Sequence, residues 1–300
     1  MIRRFLSTSK KITEEDQYFK LIKNALNGDK IKSRNGVTYN SFGESMKFNL
    51  KNNTLPLLTS KKVAWKTCVK ELLWFIKGST DNRILKEQNV KIWNGNATRE
   101  FLDSRGLHDY SVNDLGPIYG HQWRFWNSQY KDFNTNYNNK GIDQLENVIK
   151  ILNNPEEKFS RRNLLTAWNP EQVDEMALPP CHVMSQFYVN ESNELSCSLY
   201  QRSGDIGLGI PFNIASYSIL THLLAKHCDL KPGSFHHFIG VSHIYEEHLD
   251  ILSKQMTSKT HEFPKIDIVK KYDNINDYRL DDILVYNYKH EKTLKMPMIA

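Results

Sequence analysis

The 300-residue chain is poor in cysteine, and its four, Cys68, Cys181, Cys197 and Cys228, form no Cys-x-x-Cys pair. Such spacing argues against a structural zinc site and against a disulfide framework, and marks the four as cytosolic thiols. Long apolar runs are missing as well, so no segment has the length of a transmembrane helix. The stretch Met1 to Lys11 has no signal-peptide core, and the expectation is a soluble, cytoplasmic protein. Acidic residues are absent before Glu14 in a start that is basic and contains Ser and Thr. An organelle-targeting segment is therefore the alternative to a flexible tail. His236-His237 and His243 with His248 lack the i, i+4 spacing of a helical zinc pair, so no metal is expected. Internal repeats and low-complexity blocks are absent too.

What remains is an ordinary globular composition, 39% hydrophobic and 25% charged, enough for one substantial core or two domains. The pattern favours one α/β domain. A formal net charge of +6 suits nucleic acid, phosphorylated small molecules or no particular partner.

Thr13 with Asp16 resembles a capping box ahead of a helix through Tyr18, Leu21, Ile22, Ala25 and Leu26, closed by Gly28. A second helix spans Val63 to Lys77, with Lys62, Lys66, Lys70 and Lys77 on one stripe. Glu71 lies off that stripe, beside Ala64, Thr67, Trp74 and Phe75, where a carboxylate is expected to be buried and perturbed. A rim glutamate reaching water fits equally. Strands are predicted at 163–168, 183–189 and 194–200, the last two joined as a hairpin by Asn190-Glu191-Ser192-Asn193. Period-two alternation turns Leu195, Cys197 and Leu199 to one face and Ser196, Ser198 and Tyr200 to the other, with Arg202 emerging at the strand's end. An apolar helix follows from Pro211 to Cys228, with Asn213 in its first turn. Phe235, His237, Ile239 and Val241 alternate as a strand, and 244–256 reads as an amphipathic helix. The Asn/Tyr/Lys-rich segment 127–140 is expected to be a surface insertion.

Chemistry concentrates around Cys181, which stands behind Pro179 and Pro180 and shortly before Arg202. The prolines stiffen its approach, and Arg202 or a protonated His182 would favour a nucleophilic thiolate. Local sequence alone favours the other reading, a small buried hydrophobe at a strand start. Arg161-Arg162, Arg202-Ser203 and Arg34 supply guanidinium groups suited to phosphate oxygens, or else to a solvated surface.

Seven motifs then agree together: Leu57-Leu58-Thr59-Ser60-Lys61-Lys62, Glu71-Leu72-Leu73-Trp74-Phe75, Asp114-Leu115-Gly116-Pro117-Ile118-Tyr119-Gly120, Ser160-Arg161-Arg162, Ala177-Leu178-Pro179-Pro180-Cys181-His182, Gln201-Arg202-Ser203-Gly204-Asp205 and Pro211-Phe212-Asn213-Ile214-Ala215-Ser216-Tyr217. In this order, from about Gln17 to the C terminus, the chain resembles the folate-dependent thymidylate synthase family. The resemblance implies an α/β fold of the α+β type. A single domain, 16–300, would hold a large twisted mixed sheet flanked by helices and dimerise through sheet faces, behind a flexible extension, 1–15. It further implies reductive methylation of dUMP by 5,10-methylenetetrahydrofolate, released as dihydrofolate.

In that family pattern Cys181 matches the nucleophile that adds to C6 of the uracil ring. Arg202, Ser203 and Arg34 match the dUMP phosphate site, with Arg161 and Arg162 reaching across from the partner subunit of a homodimer. Asn213 matches the reader of the uracil edge, and His243 and Tyr245 the pair holding the ribose 3′-hydroxyl. Glu71 and Tyr119 match groups that move protons through water. Ile92, Trp93, Asn96, Leu208, Gly209, Phe212 and Ala300 match the folate pocket, Asp205 the pteridine contact, and Lys61 a neighbour of the glutamate tail. The segment 296–300 resembles a tail that closes over the ligands. The chain departs from the pattern in a loop one residue shorter after Arg34, in Asn94 and Val241 where aspartates are usual, and in Asn287-Tyr288-Lys289-His290 near the end. A deoxycytidylate hydroxymethylase would be expected to carry aspartate at position 213, so Asn213 favours dUMP. RNA binding is a further alternative without an aromatic-basic motif to support it.

Overall fold

Each helix and strand expected from the apolar patterns is found, with several changed boundaries, alongside further elements that those patterns had not marked. The computed structural model describes residues 13–33 and 36–299. In chain order these form α1 (Asp16–Leu26), β1 (Asp29–Ser33), β2 (Gly36–Asn49), α2 (Trp65–Ile76), α3 (Asn82–Glu87), α4 (Arg99–Ser104), α5 (Tyr119–Phe125) and α6 (Gln144–Asn153). The second half adds β3 (Leu164–Thr166), β4 (His182–Val189), β5 (Glu194–Asp205), α7 (Gly209–His227), β6 (Lys231–Tyr245), α8 (Leu249–Gln255), β7 (Lys265–Ile268) and β8 (Ile283–Tyr286).

Six strands form one mixed sheet in the order β1-β2-β6-β5-β4-β3, in which β5 and β6 run parallel and every other pair antiparallel. The single α/β domain with a mixed sheet flanked by helices is the expected architecture. Leu195, Cys197 and Leu199 point inward as their alternation predicts, and α7 covers that face. Because α7 is enclosed between the sheet and α2, its sequence is apolar nearly all round rather than striped. On the opposite face Met184, Tyr200 and Phe238 stand in register across β4, β5 and β6, and all three are exposed.

Three boundaries differ from expectation for tertiary reasons. β5 continues to Asp205, so Arg202 and Ser203 lie within the strand, because β6 keeps pairing beside it as far as His243. β6 likewise runs through Ile244 and Tyr245, held by β2 through Tyr39 and Thr38, and the helix expected from 244 starts at Leu249. Phe235, His237 and Ile239 are buried but Val241 is exposed, so the alternation slips at Gly240. There the Arg202 carbonyl approaches so closely that a Cβ would stand 2.7 Å from it. The segment 127–140 is also more than a surface insertion. Tyr130 and Tyr137 stack in a buried cluster, and the Tyr130 hydroxyl donates to Asp114 Oδ1 at 2.6 Å.

Residues 1–12 of the expected extension lie outside the described residues, but Thr13 to Glu15 join the folded body. Glu15 is fully buried, and its carboxylate accepts from Thr59 N–H (2.9 Å), Thr59 Oγ1 (2.5 Å) and Ser60 N–H (2.9 Å). It thereby holds the loop that presents Lys61. Glu15→Ala would leave the buried Thr59 and Ser60 N–H groups unpaired, with the Thr59 hydroxyl keeping only its 3.4 Å bond to the His261 carbonyl, and is expected to cost about 2–4 kcal/mol of stability, read by urea unfolding. Loss of less than about 0.5 kcal/mol would show that these bonds contribute nothing net.

Candidate active site

Two strands that run parallel must end on the same side of the sheet, and several of the candidate residues gather there. Cys181 leads into β4, Gln201 to Asp205 end β5, Asn213 lies in the first turns of α7, and His243 and Tyr245 end β6. Asp205 and His243 are direct cross-strand partners, and the His243 and Tyr245 rings meet edge to face at 5.1 Å. From the other side α2 brings Glu71 and α5 brings Tyr119. The turn before α5 depends on Gly116, whose φ is +72° and where a Cβ would strike the Glu175 carbonyl at 2.2 Å.

Prolines 179 and 180 lack an N–H but keep carbonyls that need donors. Arg202 satisfies both, donating from Nε to the Pro180 oxygen at 2.9 Å and from Nη2 to the Pro179 oxygen at 3.0 Å. Its backbone N–H also donates to the Cys181 carbonyl at 2.9 Å, and its guanidinium lies over Trp168. The Cys181 N–H donates to Tyr119 Oη at 2.7 Å. Tyr119 and Arg202 thus fix the backbone on both sides of the thiol.

Burial governs the charges here. It raises the Cys181 thiol above its ordinary range, against a smaller downward pull from Arg202. The Tyr119 hydroxyl is pushed well up by burial and stays a phenol. His182 is driven down to about 4 by burial and is neutral, so the cationic His182 considered as a thiolate stabiliser is ruled out in this state. Arg202 alone fills that role among the two. Glu71 lies where its helical phase placed it, accepting from Trp93 Nε1 at 2.8 Å, and burial pushes its carboxyl up to about 7. A group at that value both gives and takes protons near neutrality.

The remaining residues divide into those inside this cluster and those elsewhere. Asn213 Oδ1 accepts from Gln201 Nε2 at 2.9 Å, and Ser203 follows one residue beyond Arg202 on β5. Asp205 Oδ1 accepts from Gly207 N–H at 2.7 Å and lies 3.6 Å from His248 Nδ1. Ile92, Asn96, Leu208, Gly209 and Phe212 are partly exposed, while Trp93 is buried against Tyr119. Lys61 points inward, its Nζ donating to the Gly207 carbonyl, and burial lowers it to about 8. The tail lies over the same turn, because His248 Nε2 bonds the Pro297 oxygen at 2.8 Å and Met296 packs against the core. Asn94 accepts from Asn82, a structural use of the departure from aspartate. Arg34 and Ala300 lie outside the described residues.

Arg161 and Arg162 do not join the cluster. Both are exposed ahead of β3, and the β3–β4 register sets Arg162 level with Tyr188. Cys181 enters the other end of β4, about 20 Å away at ~3.3 Å per residue. Gln201 and His237 belong to the site although neither was assigned a role from sequence. Their inward parity among apolar neighbours was the available signal.

The thymidylate synthase family model matches residues 16–300. The chain belongs to the thymidylate synthase family. It is 47% identical over 288 residues to the thymidylate synthase of Ascaris suum, covering 95% of this chain and 97% of the relative. The Saccharomyces cerevisiae thymidylate synthase is 45% identical over 297 residues, with the same two coverages. A bifunctional dihydrofolate reductase-thymidylate synthase of Leishmania major is 46% identical over 289 residues, which is 95% of this chain but 55% of that protein. The chain thus spans nearly all of the first two relatives and about half of the bifunctional one.

The raised Glu71 carboxyl makes a stability prediction for this family member. The folded state binds this proton more tightly than the unfolded chain, so the contribution of Glu71 to stability is fully present below about pH 4.5 and is lost as pH rises through about 7. Glu71→Gln removes this slope. Urea unfolding should show the variant gaining on the parent between pH 4.5 and 7, by on the order of 2–3 kcal/mol at pH 8. A pH-independent difference would contradict the buried, proton-holding carboxyl.

Proposed function

We propose that this chain converts dUMP to dTMP through a covalent bond between Cys181 and C6 of the uracil ring. Membership of the thymidylate synthase family carries the reaction, and the Cys181–Arg202–Tyr119 arrangement carries the assignment of the nucleophile. When bound, 5,10-methylenetetrahydrofolate supplies the one-carbon unit and the hydride and leaves as dihydrofolate. Asp205, locked by the Gly207 N–H, and the partly open apolar surfaces of Ile92, Leu208 and Phe212 fit a flat, polar-edged pteridine.

Cys181 loses its proton as its sulfur attacks C6, and the electron pair moves onto C5 and the C4 oxygen. Arg202 favours the thiolate, which burial otherwise opposes. Asn213 presents its amide to the base edge. Glu71, near neutrality, gives and takes protons through water at the C4 oxygen and the one-carbon donor, and the Tyr119 phenol, bonded to the Cys181 N–H, orients the water that carries away the C5 proton. His243 and Tyr245 hold the ribose, and Arg202 with Ser203 and Arg34 the phosphate. Seating of Met296 and Pro297 over the Asp205–Gly209 turn excludes water before hydride transfer.

The site is completed by a second copy of the chain. The exposed row Met184–Tyr200–Phe238, with Tyr188 beside it, is an apolar sheet face suited to an isologous dimer. Arg161 and Arg162, too far from their own Cys181, would reach the partner's phosphate site from its margin. Cytoplasmic residence remains part of this proposal, supported by four unpaired thiols.

Incubation with dUMP and methylenetetrahydrofolate should produce dihydrofolate, and Cys181→Ser should lower kcat by more than about a thousandfold. No product from the parent, or full activity in the variant, would overturn the assignment. Mixing inactive Cys181→Ser protein with inactive Arg161→Ala/Arg162→Ala protein should restore about a quarter of parental activity, because half the dimers are mixed and each carries one intact site. Failure to recover activity while mixed dimers form would refute the shared site.

A further inference from the structure

The Gln201 amide makes three contacts that together leave one arrangement of hydrogens. Its Nε2 lies 2.8 Å from the Ser203 carbonyl and 2.9 Å from Asn213 Oδ1, and its Oε1 lies 2.8 Å from His237 Nε2. A backbone carbonyl only accepts, so the nitrogen of Gln201 must face Ser203 and the oxygen must face His237. The second amide hydrogen then points at Asn213, and the atom receiving it must be that residue's oxygen. Gln201 Oε1 accepts, so His237 must carry its hydrogen on Nε2.

His237 suits that task. It is fully buried, and burial lowers its pKa to about 3, leaving a neutral ring with one N–H. Its Nδ1, the acceptor nitrogen of this tautomer, is buried without a hydrogen-bond partner. Gly204 gives the relay room, since a Cβ there would stand 3.1 Å from Gln201 Nε2.

We infer that His237 is a positioning residue: through Gln201 it locks the Asn213 amide with its NH2 group toward the base, and so sets the preference for uracil over cytosine nucleotides. The inference rests on the proposed reaction. The C4 oxygen of uracil accepts a hydrogen bond from that NH2 group, whereas the C4 amino group of cytosine opposes it with another donor. An Asn213 freed from Gln201 keeps only its contact with His182 and can rotate to offer Oδ1 to cytosine. The lock removes that option.

The test compares binding of dUMP and dCMP by calorimetry, with dihydrofolate formation from dUMP, in the parent, His237→Phe, His237→Gln and Gln201→Leu. In His237→Phe and in Gln201→Leu the preference for dUMP over dCMP should fall at least about tenfold, through a raised KM for dUMP more than a lowered kcat. In His237→Gln, whose amide nitrogen can stand near the position of Nε2, most of the preference should return. Circular dichroism checks folding, and Gln201→Leu reads the relay if His237→Phe does not fold. Unchanged preference in the folded variants, or equal loss in His237→Gln and His237→Phe, would overturn the relay. A parent that makes no dihydrofolate would instead overturn the proposed reaction.

Discussion

The parallel pairing of β5 with β6 is the constraint on which the rest depends. A parallel pair needs a long crossover, and α7 supplies it, so both strands end at the edge where α7 begins. Gln201 to Asp205, Asn213 and His243 to Tyr245 are thereby brought to one place from separate stretches of chain. Ligands in open α/β sheets commonly bind beyond strand carboxyl ends for this reason. The antiparallel β4 contributes its start to the same edge, which places Cys181 opposite Arg202.

Within that edge, burial suppresses charge almost everywhere. Glu71 is raised, Lys61, His182 and His237 are lowered, and Cys181 is held above its usual range. Desolvation is the leading cause in each case, so Cys181, His182 and His237 are neutral near pH 7 and Glu71 is half-ionised, while Lys61 keeps most of its charge. Hydrogen bonds made by neutral groups then fix orientation: Trp93 to Glu71, Gln201 to Asn213, and His237 with Gln201. Arg202 is the principal charge, and even it is tied to two proline carbonyls. Polar groups fixed in this way can stabilise developing charge without reorganising.

Much of this was legible residue by residue. The helical phase of Glu71 marked it as a carboxylate on an inward face, and the alternation of Leu195, Cys197 and Leu199 named the buried side of β5. Motif order identified the family, with Cys181, Arg202 and Asn213 in their expected neighbourhood. His237 was readable as an inward strand residue but not as a partner of Gln201, because that contact joins residues 36 positions apart. The ends of β5 and β6 were misplaced for a similar reason. Their last residues are held in strand form by neighbours across the sheet rather than by local preference.

Local sequence determined what short-range chemistry controls: the helices, the inward faces, the hairpin at 190–193 and the rigid double-proline approach to Cys181. Tertiary structure alone decided protonation and aim. Desolvation depends on everything packed around a group, so neutral His182, raised Glu71 and inward Lys61 follow from burial. The direction of the Asn213 amide depends on one backbone carbonyl at Ser203 and one histidine on the neighbouring strand.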